Sequence, residues 1–193
     1  MSFNSQIRVI LESFGLVKAW LFMGLFSVLL AGCGSLKPRD FAGSTTQFEP
    51  DEYFSGHVKS WGVMENRRGE PRSRFTTESF GTRDAAGDTV IRQTFTHEDG
   101  STQERVWHVH RLDAHHYKGT ASDVVGTVRG EAQGNVFRWE YTIALKPGNP
   151  FSHVHLRQWM YLPEGTQTMF TRAVVTKFGL TLGEVSESFQ RIP

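Results

Sequence analysis

From Tyr53 to the C-terminus, short apolar-polar alternations follow one another with turn residues between them. The run 135–146 is the cleanest: Phe137, Trp139, Tyr141, Ile143 and Leu145 fall on one face, and Arg138, Glu140 and Thr142 on the other. That period of two predicts a half-buried strand. Ile91 and Phe95 alternate in the same way with Arg92 and Thr94, and Trp107 and Val109 with His108 and His110. Val154, Leu156, Met160 and Leu162 oppose His153, His155, Arg157, Trp159 and Tyr161. The pattern predicts strands over 53–65, 73–80, 88–98, 104–112, 116–121, 124–133, 135–146, 153–162, 168–178 and 181–190, and no amphipathic helix of three turns. The linkers are too short for parallel crossovers, so consecutive strands pair antiparallel. Glu98-Asp99-Gly100-Ser101 and Gly134-Asn135 suit tight reversals, and the two prolines of Lys146-Pro147-Gly148-Asn149-Pro150 exclude a central strand there.

An antiparallel meander of eight to ten strands with glycines inside them (Gly56, Gly62, Gly126, Gly130, Gly183) is best closed as an all-β barrel, which removes the exposed edges. A two-sheet sandwich is the alternative. The regular charges on the alternate face argue against an outer-membrane barrel, whose outward band is apolar.

The start of the chain reads differently. An apolar run from Leu21 to Leu30 ends in Leu30-Ala31-Gly32-Cys33, which holds the single cysteine. This resembles the lipobox of bacterial lipoproteins. The resemblance implies a signal peptide over residues 1–32, acylation of Cys33 and a lipid-anchored N-terminus. Residues 33–52, rich in turn formers, read as a tether, with Phe41, Phe48 and Tyr53 marking where the chain begins to dock on the domain over 53–193. The run Ala19–Ala31 is short for a bilayer span. Gly34 in place of aspartate leaves the inner-membrane retention signal absent, which points to the outer membrane, facing the periplasm.

The whole chain has 21 basic and 20 acidic residues. Without Arg8, Lys18 and Glu12 of the signal segment, 19 of each remain. A neutral domain lacks the field that nucleic-acid binding needs.

Several separated stretches then narrow the family. Trp61-Gly62-Val63-Met64-Glu65-Asn66-Arg67-Arg68-Gly69, Asp123-Val124-Val125-Gly126, Gly134-Asn135, Trp159-Met160-Tyr161-Leu162 and Thr176-Lys177-Phe178-Gly179 together resemble DUF3833, a family of bacterial lipoproteins of unknown function. The resemblance covers roughly residues 40–190. It implies a lipocalin-like barrel and hints at lipid, and it brings no catalytic residues. Where the family pattern has an acidic pair before Trp159, this chain has Arg157 and Gln158.

The residues themselves offer four groups of candidates. His108 and His110, and His153 and His155, each put two imidazoles on one side of a strand. Two such strands side by side would present four nitrogens to a metal, but these faces oppose the apolar ones and read as solvated, so no metal or other cofactor is assigned. Asp123, Glu131, Glu140, Glu184 and Glu187 are carboxylates that a barrel interior could turn into a general base, with no spacing that demands it and no catalytic residue singled out. Trp61, Trp107, Trp139, Trp159, Phe75, Phe95, Phe137, Phe170 and Phe189 either line a cavity or fill the core. Arg111, Arg129, Arg138 and Arg172 are strand arginines. Arg172, which shares a face with Phe170, Val174 and Phe178, is chosen as the one to hold a fatty-acid carboxylate inside the barrel. The ligand site expected is Arg172 with Trp107, Trp139, Phe137 and Phe170. The function expected is binding or chaperoning of an apolar molecule in the barrel. The alternatives are a filled-core interaction protein and a lipid-modifying isomerase or cyclase.

Overall fold

The computed structural model describes residues 35–193. The signal peptide expected over residues 1–32 and the acylation site Cys33 lie outside the described residues.

Ten strands form: β1 Gly56–Asn66, β2 Pro71–Arg83, β3 Thr89–His97, β4 Thr102–Arg111, β5 His116–Ala121, β6 Val128–Gln133, β7 Val136–Ala144, β8 His153–Tyr161, β9 Thr168–Lys177 and β10 Leu180–Ile192. Each pairs antiparallel with the next, and β10 returns to pair with β1 from His57↔Ile192 to Asn66↔Gly183, closing the barrel. The ten strands follow the order of the ten alternating runs. The differences are at the ends. Pro50 starts a single helical turn, Pro50–Tyr53, so β1 begins only at Gly56. Gly126, with a φ of +71°, breaks the run 124–133, and β6 starts at Val128.

The inward positions follow period two. Val58 and Ser60, Thr77 and Ser79, Trp107 and Val109, Phe137, Trp139 and Tyr141, and Met169, Thr171 and Ala173 are all buried. Trp107 stacks on Trp139 with ring centroids 4.6 Å apart, and Tyr117 and Phe137 meet edge to face. Such pairs add about 1 kcal/mol each beyond area burial. Some inward glycines are needed for this packing. A Cβ on Gly130 would overlap the Phe137 ring, and one on Gly62 the Phe75 ring.

The meander sends alternate loops to opposite ends. One end is closed by the segment before β1. Phe48, Tyr53 and Phe54 are buried there, the Phe48 N–H donates to Gly134 O at 2.7 Å, and the Tyr53 hydroxyl lies 2.8 Å from Gln167 O. Asp51, 3% exposed, accepts from the Tyr117 hydroxyl at 3.2 Å and from Arg83 at 3.3 Å. The stretch read as tether is therefore, from Lys37 on, part of the barrel body. Its apolar residues carry no period because each docks singly on the barrel end. The unit Lys37–Pro193 contains its own core and its sheet has no open edge, which makes it a self-standing folding unit.

Candidate functional site

Two places on the barrel bring together chemistry: a polar chamber inside it and an apolar groove on its outer wall.

The chamber lies between the aromatic layer and the open rim. It is lined by Gln93 of β3, Arg105 of β4, Trp139 and Tyr141 of β7, Gln158 of β8 and Glu187 of β10. Gln158 is its hub. Its side-chain oxygen accepts from Trp139 Nε1 at 2.8 Å and from the Tyr141 hydroxyl at 3.1 Å, and its amide donates to Thr171 Oγ1 at 3.4 Å. Glu187 Oε1 accepts from Ser60 Oγ at 2.5 Å and Thr77 Oγ1 at 3.2 Å. Burial pushes the Glu187 carboxyl up to about 7, and the two hydroxyls with the Arg105 charge pull it back only in part. The side chain nonetheless keeps some accessible surface, so the carboxyl is both desolvated and within reach of solvent protons. Desolvation also raises Tyr141, to about 12. Arg105 grips Asp123 with two nitrogens, Nε to Oδ1 at 2.8 Å and Nη2 to Oδ2 at 2.7 Å, and lies 5.1 Å from the Phe95 ring centre.

This chamber has the charges of a proton-transfer site and lacks the room for a lipid. Its cavity is about 70 Å3, enough for a few waters. Sites for organic ligands run roughly 300–1,000 Å3. The cavity is too small for the acyl chain expected inside the barrel, because Trp107, Trp139 and Phe137, which line it, also pack against one another across the interior.

The groove lies on the opposite face of the same wall. In β1 the outward residues are Trp61 and Val63, and the register sets Trp61 beside Thr76 of β2 and Ser188 of β10, with Ser188 beside Phe170 of β9. Two bulky rings thus stand on either side of a serine. Trp61 and Phe170 are both about half exposed, at 47% and 49%. With Val63, Thr76 and Ser186 they line an open groove of about 890 Å3. Arg74, paired with Glu98 at 2.7 Å, stands at its margin.

Arg172 and Phe170 are corrections to the expected site. Their shared face is the outer one. Arg172 is exposed and paired with Glu184, and it neighbours Ser186 at the groove's edge. Trp61, expected either to line a cavity or to fill the core, is also outside. The face was ambiguous from sequence because β9 carries apolar residues on both sides. The histidine pairs do not converge: β4 and β8 are not neighbours in the sheet, His110 bonds Asp88 at 2.5 Å, and His155 lies 3.5 Å from Glu140. Among the described residues no three His, Cys, Asp or Glu side chains cluster as metal ligands would. Of the five carboxylates, Glu131, Glu140 and Glu184 face outward, Asp123 is held by Arg105, and Glu187 is the one inside a strand of the barrel. Arg105 and Asp51 were not singled out from sequence, and Gln158 was noted only as a departure from the family pattern. Gln158 carried a signal, since it falls at the inward register between Leu156 and Met160.

A family model matches residues 27–191. The chain belongs to DUF3833, a family described as a protein of unknown function. No curated protein matches it. Two solved structures share the fold. The S-type phycobiliprotein lyase CPES from Guillardia theta is 9% identical with a TM-score of 0.55, over 74% of this chain and 90% of that one. A DUF3598 protein of unknown function from Nostoc punctiforme is 10% identical with a TM-score of 0.52, over 76% of this chain and half of its own length. At these identities the likeness is one of barrel architecture.

Proposed function

We propose that this DUF3833 protein is an envelope lipoprotein that binds an apolar chain in the outer groove between Trp61 and Phe170. The observation that carries the reading is the groove itself: two half-exposed aromatic rings facing across Ser188, on a barrel whose interior is full. A neutral, polar protein gains nothing in stability from exposing such a strip, and exposed apolar patches of this kind mark binding sites. Arg74 and Arg172 flank the strip, so a fatty-acid carboxylate would find a guanidinium at its margin. The anchor at Cys33 would hold the groove at the outer membrane, on the periplasmic side. An apolar segment of an envelope protein would fit the same strip, and the filled interior favours that second reading over a lipid-modifying enzyme.

Titrating residues 35–193 with a fluorescent long-chain fatty acid tests the proposal. Saturable binding is expected, lost in Ser188→Trp, which fills the groove, and weakened about tenfold or more in Trp61→Ala. Binding that persists in Ser188→Trp, or no binding at all, refutes the fatty-acid reading. Metabolic labelling with an alkynyl fatty acid, lost in Cys33→Ser, tests the anchor separately.

A further inference from the structure

At the end away from the buried segment, the loops following β5, β7 and β9 stand next to one another around the rim. They carry a run of exposed large apolar side chains: Val125, Leu145, Phe151, Phe178, Leu180 and Leu182. Phe151 is 76% exposed and Phe178 79%. None of these loops needs them for its turn. The β7–β8 loop is already shaped by Asn149, whose side chain accepts from the Phe151 N–H at 3.0 Å, and by Ser152, whose hydroxyl bridges to Lys146.

Phe178 is the sharpest case. It sits in the two-residue turn between β9 and β10 with a φ of +50°, and among the described residues it is the one non-glycine at positive φ. Turns of this kind favour asparagine, aspartate or glycine, and a bulky residue there costs about 1–2 kcal/mol. The ring makes no core contact that would offset the cost. A residue that is strained, apolar and exposed together has been placed for something outside the fold.

Two of these loops carry only positive charge, and in the third Asp123 is held by Arg105. Residues 145–152 and 177–182 contain Lys146 and Lys177 and no acidic residue. Lys177 Nζ lies 5.5 Å from the Phe178 ring centre. The next loop around the rim, between β1 and β2, adds Arg67 and Arg68, with Glu70 taken up by Arg72 and Asn66. The β3–β4 loop, which stands between the β1–β2 and β5–β6 loops, bears Glu98, paired with Arg74, and Asp99. The apolar sector therefore has cations along its β7–β8, β9–β10 and β1–β2 side and acidic residues at its β3–β4 side.

We infer that this sector docks on a lipid surface containing anionic head groups, with Phe151 and Phe178 entering the interface and Lys146, Lys177, Arg67 and Arg68 meeting phosphates. Aromatic tips above a basic border are what an interfacial site requires, and each cation near an anionic surface adds about 1 kcal/mol. A water-soluble protein partner would be expected to match the strip with acidic groups of its own. A bilayer supplies both the apolar layer and the phosphates along a continuous plane, which suits three adjacent loops. The inference stands apart from the groove and from the anchor.

Sedimentation of residues 35–193 with phosphatidylcholine vesicles, with and without phosphatidylglycerol, tests it without the acyl anchor. Binding to the phosphatidylglycerol vesicles is expected, falling at least about tenfold in Phe151→Ser with Phe178→Asn and falling also as salt is raised. Phe178→Asn relieves backbone strain, so loss of binding in the Phe178→Asn single variant, with the fold intact by circular dichroism, cannot be assigned to unfolding. Ser188→Trp, which blocks the groove, should leave vesicle binding unchanged, which separates this result from that of the groove. Vesicle binding that is absent, or equal in wild type and double variant, overturns the inference. So does self-association through this sector in place of vesicle binding.

Discussion

Glu187 gives the most direct energetic test of the barrel's interior. Its carboxyl titrates near 7 in the folded protein, against an ordinary value of 4.5. A raised acid pKa means that the folded state holds its proton more tightly than the unfolded chain. Between pH 4.5 and 7 the unfolded chain has already lost that proton, so stability falls as pH rises through this window and stays low above it. A displacement of roughly 2.5 units at 1.36 kcal/mol each sets the full cost at about 3 kcal/mol, and the partial exposure of the side chain reduces this to about 2–3 kcal/mol. Glu187→Gln keeps the shape of the protonated acid and still accepts from Ser60 and Thr77, but it cannot ionise. Urea unfolding of residues 35–193 at pH 5 and pH 8 should show the two proteins within about 1 kcal/mol of each other at pH 5 and the variant more stable by about 2–3 kcal/mol at pH 8. At this chain length that is a rise of roughly 5–10 °C in Tm. If the difference between variant and wild type is the same at both pH values, Glu187 is ionised or neutral throughout, and the desolvated chamber described above is wrong.

Other perturbations probe the remaining parts. Gly130→Ala puts a methyl group into the Phe137 ring and should cost about 1–3 kcal/mol, read as a lower urea midpoint. Phe178→Asn should raise stability by up to about 1 kcal/mol, because the residue then suits its positive φ. Phe48→Ala opens the sealed end and should cost about 3–5 kcal/mol, with faster amide exchange along β6 and β7. Arg105→Met leaves Asp123 without its bidentate partner and should destabilise by a few kcal/mol, an effect that Asp123→Asn in the same chain should largely reverse.

Much of the fold is legible in the sequence because the alternation is strong and the turns are short. The strand β7, with Phe137, Trp139 and Tyr141 against Arg138 and Glu140, could be placed residue by residue, and its inward face is the one expected. The interior polar belt was harder to see. Gln158 and Thr171 sit at inward positions of otherwise apolar faces, and only tertiary pairing shows that they satisfy Trp139 and Tyr141. The stretch from Lys37 to residue 52 reads as tether in the sequence, apart from the docking points Phe41 and Phe48, because no local period records a chain that docks one side chain at a time. In both cases the missing information is long-range: Phe48 bonds Gly134, and Glu187 bonds Ser60.

The error over Arg172 carries more than a correction. Period two sorts a strand into two faces but does not say which is inside, and that choice normally rests on one face being more apolar. In β1 the inward set after Val58 is Ser60 and Gly62, while the outward set is Trp61 and Val63. In β9 Phe170 and Val174 face out as Met169 and Ala173 face in. The contrast between faces is weak on these two strands, where Lys59 and Arg172 also face out and Val58, Met169 and Val175 face in, and β10 between them turns Ser186 and Ser188 outward with Val185, Glu187 and Phe189 inward. Elsewhere, as in β7, the outward face is polar and the rule holds. A stretch of wall that sets Trp61 and Phe170 outside and the Glu187 carboxyl inside departs from an ordinary barrel twice, in exposed rings and in the buried acid behind them. That both departures fall on one wall supports the proposal that the binding surface lies there, with Glu187 behind it.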